Sequence, residues 1–71
     1  MEGVVFRNVI RLCEKTGTSV YALEKALGFS KASIPKWENS DPGTARVKAV
    51  ADYFGVTVDE LLREEDDDAE Q

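Results

Sequence analysis

Lys31 and Lys36, with Ala32 and Ser33 between them, are the residues best placed to do chemistry in this chain. A lysine ammonium donates hydrogen bonds to phosphate oxygens or to the acceptor edge of guanine. A serine hydroxyl can donate or accept, and an alanine methyl offers only apolar contact, for example to a thymine methyl. Catalytic chemistry has far less to work with. Cys13 is the single cysteine and histidine is absent, which excludes an intrachain disulfide and a Cys/His zinc site. The sequence shows no nucleophile with a partner base, no metal-ligand cluster and no glycine loop to cradle phosphate. Neither an enzyme nor a cofactor nor a metal is expected. Cys13 itself reads as a small buried apolar side chain. Asp52, Asp59 and Glu60 read as helix-surface or capping groups. Glu38 is expected to accept from a backbone amide or to pair with Arg46 or Lys48.

The elements that must carry these lysines lie in residues 18–39. Leu23 and Leu27 are four apart and share one helical face, with Val20 also turned inward. This predicts a second helix over 19–27, capped by Thr18 or Ser19 and ended by Gly28, which tolerates the left-handed conformation. Tyr21, Ala22 and Lys25 fall outside. Glu24 adjoins the apolar face, so it is expected at the helix rim, paired with a base on a neighbouring helix. Ser30 can cap a third helix over 31–38, with Ile34 and Trp37 as its apolar pair. Pro35 removes a backbone donor inside that helix, so a short, irregular helix with a distorted or 3₁₀-like first turn is expected. Trp37 reads as core rather than as a base-stacking ring. Helix, glycine turn, helix is the plan of a helix-turn-helix, whose second helix can enter a DNA major groove.

The flanking segments supply the rest of a small core. Phe6, Val9, Ile10 and Cys13 recur at helical spacing, with Leu12 beside them, and predict a first helix over 4–16 ended by Gly17. Residues 39–43, Asn-Ser-Asp-Pro-Gly, form a loop. Val47, Val50, Ala51 and Phe54 predict a fourth helix over 44–54, stopped by Gly55. Thr57 with Glu60 three residues later is a capping box. It opens a fifth helix that runs to about Arg63 and carries Val58, Leu61 and Leu62. No strand pattern or internal repeat is present.

Seventy-one residues make one small domain. The formal net charge is −5, which at first argues against a polyanionic partner. Residues 64–71, however, hold six of the fourteen acidic side chains and no basic one. Residues 1–63 therefore carry nine basic against eight acidic groups, near +1, and such a body can present a local basic face. The division expected is a folded domain over 1–63 and a disordered acidic tail over 64–71. No apolar run approaches a membrane span and no signal-peptide pattern opens the chain. A reduced, cytoplasmic setting is expected.

Several pieces in this order and spacing resemble the Cro/phage-repressor (XRE-type) helix-turn-helix domains: Leu23, Leu27-Gly28, Ser30, Ile34, Trp37-Glu38-Asn39, Pro42, and the string from Ala51 to Leu62. The likeness spans about residues 4–62, and Leu23-Glu24-Lys25 with Lys36-Trp37 is most similar to repressors of Gram-positive bacteria and their phages. The fold implied is all-α, a five-helix lambda-repressor-like bundle with the helix-turn-helix at helices two and three. The function implied is a bacterial or phage-encoded, dimeric, sequence-specific transcriptional regulator, usually a repressor, on double-stranded operator DNA. By position, the resemblance places Lys31, Ala32, Ser33 and Lys36 against bases or adjacent phosphates, Asn39 against a phosphate, and Ser19 and Val20 at the start of the helix that abuts the DNA backbone. Ser30 opens the recognition element and joins that set. Leu61 and Leu62 are the expected dimer patch.

The chain departs from the pattern at Val20, where many relatives have Gln, at Glu24 for a common Ala, at Pro35, and at Ser40 for a frequent Gly. Residues 31–36 contain no Arg, Gln or Asn, which points to weak direct readout and reliance on phosphates and DNA shape. A second class stays open on the same fold: a protein-binding module, such as an antitoxin-like partner or an adaptor with weak or no DNA binding. The negative total charge, Val20 and Pro35 favour it.

Overall fold

The computed structural model describes residues 3–63. The acidic tail expected over 64–71 lies outside the described residues. Four α-helices and one 3₁₀ segment follow one another: α1 Val4–Thr16, α2 Val20–Leu27, the 3₁₀ turn Pro35–Glu38, α3 Thr44–Phe54 and α4 Val58–Leu62. All regular structure among the described residues is helical. The fold is all-α, as expected, but the described residues form four α-helices and not five. The expected third helix over 31–38 is a series of tight turns over 31–34 followed by the 3₁₀ turn. Two local causes coincide there. Ala32 adopts a left-handed backbone (φ 62°), which no right-handed helix can include. Pro35 then lacks the N–H that an α-helical bond would need.

The helix ends follow from their residues. Ser19 caps α2, its Oγ accepting from the Ala22 N–H at 3.0 Å, and Thr57 caps α4, its Oγ1 accepting from the Glu60 N–H at 3.1 Å. Gly28 sits at φ 74°. That conformation lets the Phe29 N–H donate back to the Glu24 carbonyl at 2.9 Å and reverses the chain. α1 and α3 end in the same way at Gly17 and Gly55.

One core joins all five elements: Val5, Val9 and Cys13 from α1, Leu23 from α2, Ile34 and Trp37 around the 3₁₀ turn, Val47, Val50 and Ala51 from α3, and Leu61 from α4. The buried stripe of α1 is centred on Val5, Val9 and Cys13, with Asn8 also buried. Phe6 and Ile10, expected in that stripe, are half-buried at its side. The phase is set by α4 and the 3₁₀ turn, which both pack on α1. Asn8 decides the α4 contact. Its Nδ2 donates to the carbonyls of Leu61 at 2.7 Å and of Arg63 at 3.0 Å, two of the acceptors that a helix C-terminus leaves unmatched. A five-residue helix has almost no stability of its own, so this clasp and the burial of Leu61 hold it in place.

Candidate nucleic-acid interface

The segment that carries the two lysines is built from the inside out. Ile34 and Trp37 point into the core, Trp37 with 4% of its surface exposed. The Phe29 ring meets the Trp37 indole edge-on, with centroids 6.0 Å apart. This favours the core reading of the tryptophan over base stacking. Across the same short stretch Lys31, Ala32, Pro35 and Lys36 are exposed. Two apolar anchors on the inner side thus force the intervening and flanking side chains outward.

Backbone polar groups in a turn need partners of their own. The Ser33 N–H donates to the Ser30 carbonyl at 3.1 Å. The amides on either side of it turn to Glu24. The Ala32 N–H donates to Glu24 Oε1 at 3.1 Å and the Ile34 N–H donates to Glu24 Oε2 at 3.0 Å. Glu24 is only 4% exposed. It therefore does not lie at the rim paired with a base, as expected. A carboxylate accepts through both oxygens, and the turn presents two otherwise unmatched donors, so the charge is met by peptide dipoles. Beyond the 3₁₀ turn, the Lys36 carbonyl accepts from the N–H groups of Asn39 at 3.2 Å and Ser40 at 3.1 Å.

The expected contact residues divide by position. Ser30, Lys31, Ala32, Lys36 and Asn39 are exposed along one continuous stretch. Ser19 is exposed at the start of α2, and Val20 is half-buried against the core. Ser33 is the exception. It is 6% exposed, and its hydroxyl lies inside without a hydrogen-bond partner. The turn that displays its neighbours points Ser33 inward, so it presents no hydroxyl to an outside ligand.

Arg46 joins this region although sequence spacing gave no sign of it. With Lys36, Ser40 and Asp41 it lines a shallow hollow beside the 3₁₀ turn. Its guanidinium lies 5.1 Å from the Phe29 ring centroid, a cation–π arrangement, and not against Glu38, for which it was one of three expected partners. The part played by Glu24 was also missed. Its signal was a carboxylate at an inward helical position, since a buried charge must find donors and the nearest ones belonged to the turn that Pro35 had disrupted.

A family model described as helix-turn-helix matches residues 9–61, well over half of the chain. The chain belongs to the Cro/C1-type helix-turn-helix family. Comparisons with curated proteins and with solved structures each found no match. Membership gives this domain a DNA-binding fold of the transcription-regulator type. Within the helix-turn-helix unit, α2 is the first helix, Gly28 the turn, and the lysine-bearing turn with its 3₁₀ segment stands where the second helix is expected. The family is a regulatory one and not typically enzymatic. No helix among the described residues is long and apolar enough to cross a membrane.

Proposed function

We propose that this helix-turn-helix domain is a sequence-specific transcriptional regulator, acting as a repressor, that binds operator DNA as a homodimer. The observation that carries the reading is the outward display of Lys31 and Lys36 on a segment anchored from behind by Ile34 and Trp37. Both lysines donate to phosphates or to guanine acceptors at the major-groove edge. Ala32 is available for apolar contact and Ser30 for a hydroxyl contact. Asn39 and the start of α2, Ser19 with Val20, face the flanking sugar-phosphate backbone. What enters the groove is a turn and a single 3₁₀ segment, so few base edges come within reach. Specificity then rests largely on phosphate placement and DNA shape.

Two-fold pairing sets two such segments about 34 Å apart, one turn of DNA. The dimer contact expected at Leu61 and Leu62 needs revision in one half. Leu61 is fully buried within the monomer, whereas Leu62 is 53% exposed. Only Leu62 is free to meet a second copy.

The test is a mobility-shift titration with pseudo-palindromic DNA from upstream of the protein's own gene, at several salt concentrations. Wild type is expected to bind with an affinity that falls steeply with salt. Lys31→Ala with Lys36→Ala is expected to weaken binding and flatten that slope. Unchanged binding by this double variant would remove helix-turn-helix readout from the proposal. The protein-binding alternative is favoured by Val20, which brings no polar side chain to the end of α2 that faces the DNA backbone. It predicts no salt-sensitive affinity at all.

A further inference from the structure

We propose that Glu24 is a positioning residue for DNA recognition: its carboxylate holds the lysine-bearing turn in the one backbone path that presents Lys31 and Lys36 together. This rests on the DNA-binding reading above and names the device that serves it. Glu24 belongs to α2, while the amides it accepts belong to Ala32 and Ile34, eight and ten residues further on. Those two bonds flank Ser33, whose own N–H closes on Ser30. Pro35 has no N–H to offer. The amides of residues 32, 33 and 34 are therefore all matched, two of the three by this one side chain.

The geometry is demanding in a way that matters. Ala32 is the one described residue other than glycine with a positive φ. An alanine left to itself avoids that conformation. The Ala32 N–H bond to Oε1 and the Ile34 N–H bond to Oε2 bracket the strained residue and oppose its return to an ordinary conformation. Lys31 leaves the chain immediately before the bracket and Lys36 two residues after it. A change of φ at residue 32 would swing Lys31 relative to Lys36, and a turn held by one end only would sample many such orientations. Recognition through point charges depends on that spacing, since a lysine lacks the fixed fork of an arginine.

Glu24→Gln keeps the side chain's size but replaces one acceptor oxygen by an NH₂ donor, which then faces a backbone N–H. Only one of the two bonds survives. Three measurements decide the matter. In wild-type protein, the Ala32 amide is expected to be protected from hydrogen exchange although its residue is exposed; an unprotected Ala32 amide would overturn the clasp without any variant. In Glu24→Gln, the protection of Ala32 or Ile34 is expected to fall, and affinity for operator DNA is expected to drop about tenfold, the size of one lost charge-assisted bond, at a temperature where the variant is fully folded. Leu12→Ala, which loosens the packing where α1 meets Val56 and Glu60, serves as the control and is expected to keep wild-type affinity under the same conditions.

An equal drop in Leu12→Ala and Glu24→Gln would reduce Glu24 to a general stability role and overturn the proposal. So would wild-type affinity in a folded Glu24→Gln. Wild-type protein that binds no duplex at any salt concentration would instead overturn the DNA reading itself. Protection of Ala32 would then still distinguish an intact clasp from an absent one.

Discussion

Ser33 and Cys13 show how far residue type alone misleads or informs. A serine between two exposed lysines reads as a contact residue, yet its hydroxyl is buried and unmatched. An unmatched buried hydroxyl destabilises, so Ser33→Ala is expected to raise stability by about 1–2 kcal/mol in urea unfolding and to leave DNA affinity unchanged. Loss of binding in that variant would place the hydroxyl in the interface after all. Cys13 is the core thiol its spacing suggested. Burial, and secondarily the Glu14 carboxylate, push its pKa above the ordinary 9.0. The folded state thus holds the proton more tightly than the unfolded state. That contribution is fully present below the ordinary thiol range and is lost as pH rises through the higher folded value. Urea midpoints of wild type and Cys13→Ala are expected to differ by a constant amount up to about pH 8 and to converge at more alkaline pH. At pH 7.5 a thiol reagent is expected to modify wild type only at the rate of unfolding.

Among the elements, α4 depends most on its neighbours. Five residues close barely one helical turn, and Asn8 alone meets two of its terminal carbonyls. Replacing Asn8 by Ala removes both bonds and leaves those carbonyls to water. The expected loss is about 2 kcal/mol in the local stability of α4, read as faster amide exchange in residues 58–62. Unchanged exchange in residues 58–62 would show that α4 is held by Leu61 burial and not by the clasp. Asn8 and Glu24 share a logic. Each is a polar side chain on an inward helical position that matches backbone groups of a distant segment, where the local chain cannot match them itself. Helix spans of 4–16 and 44–54 were readable from the three-to-four residue spacing of apolar side chains and the glycines that follow them. The third helix was not, because spacing records which residues turn inward and not the backbone angle that takes them there. Ile34 and Trp37 are both buried, as their spacing required, on a path that includes a left-handed Ala32.

At the scale of the whole molecule, charge is unevenly distributed. Removal of residues 64–71 would change the formal charge from −5 to about +1. DNA carries a dense array of phosphates, so the shortened protein is expected to bind duplex more tightly at low salt. The gain should vanish as ionic strength approaches roughly 1 M, where the screening length is about 3 Å. A gain that persists at high salt would point to direct obstruction of the interface by the tail rather than long-range repulsion. Leu62 is the one large apolar side chain of α4 left facing solvent. Sedimentation of Leu62→Asp against wild type is the direct measure of whether that face joins two copies.

Apolar periodicity, glycine stops and capping residues were enough to settle the helical class and the limits of the two longest helices, and the motif residues from Leu23 to Leu62 carried the resemblance to the family. These are local properties, fixed within a few residues of chain. Tertiary structure alone decided that Glu24 clasps the turn, that Asn8 clasps α4, that Ser33 and Leu61 are inside, and that Arg46 stands beside Lys36. Each depends on contacts between residues distant along the chain, and a buried polar group takes the partner that folding brings within 3 Å, which no spacing along the sequence encodes.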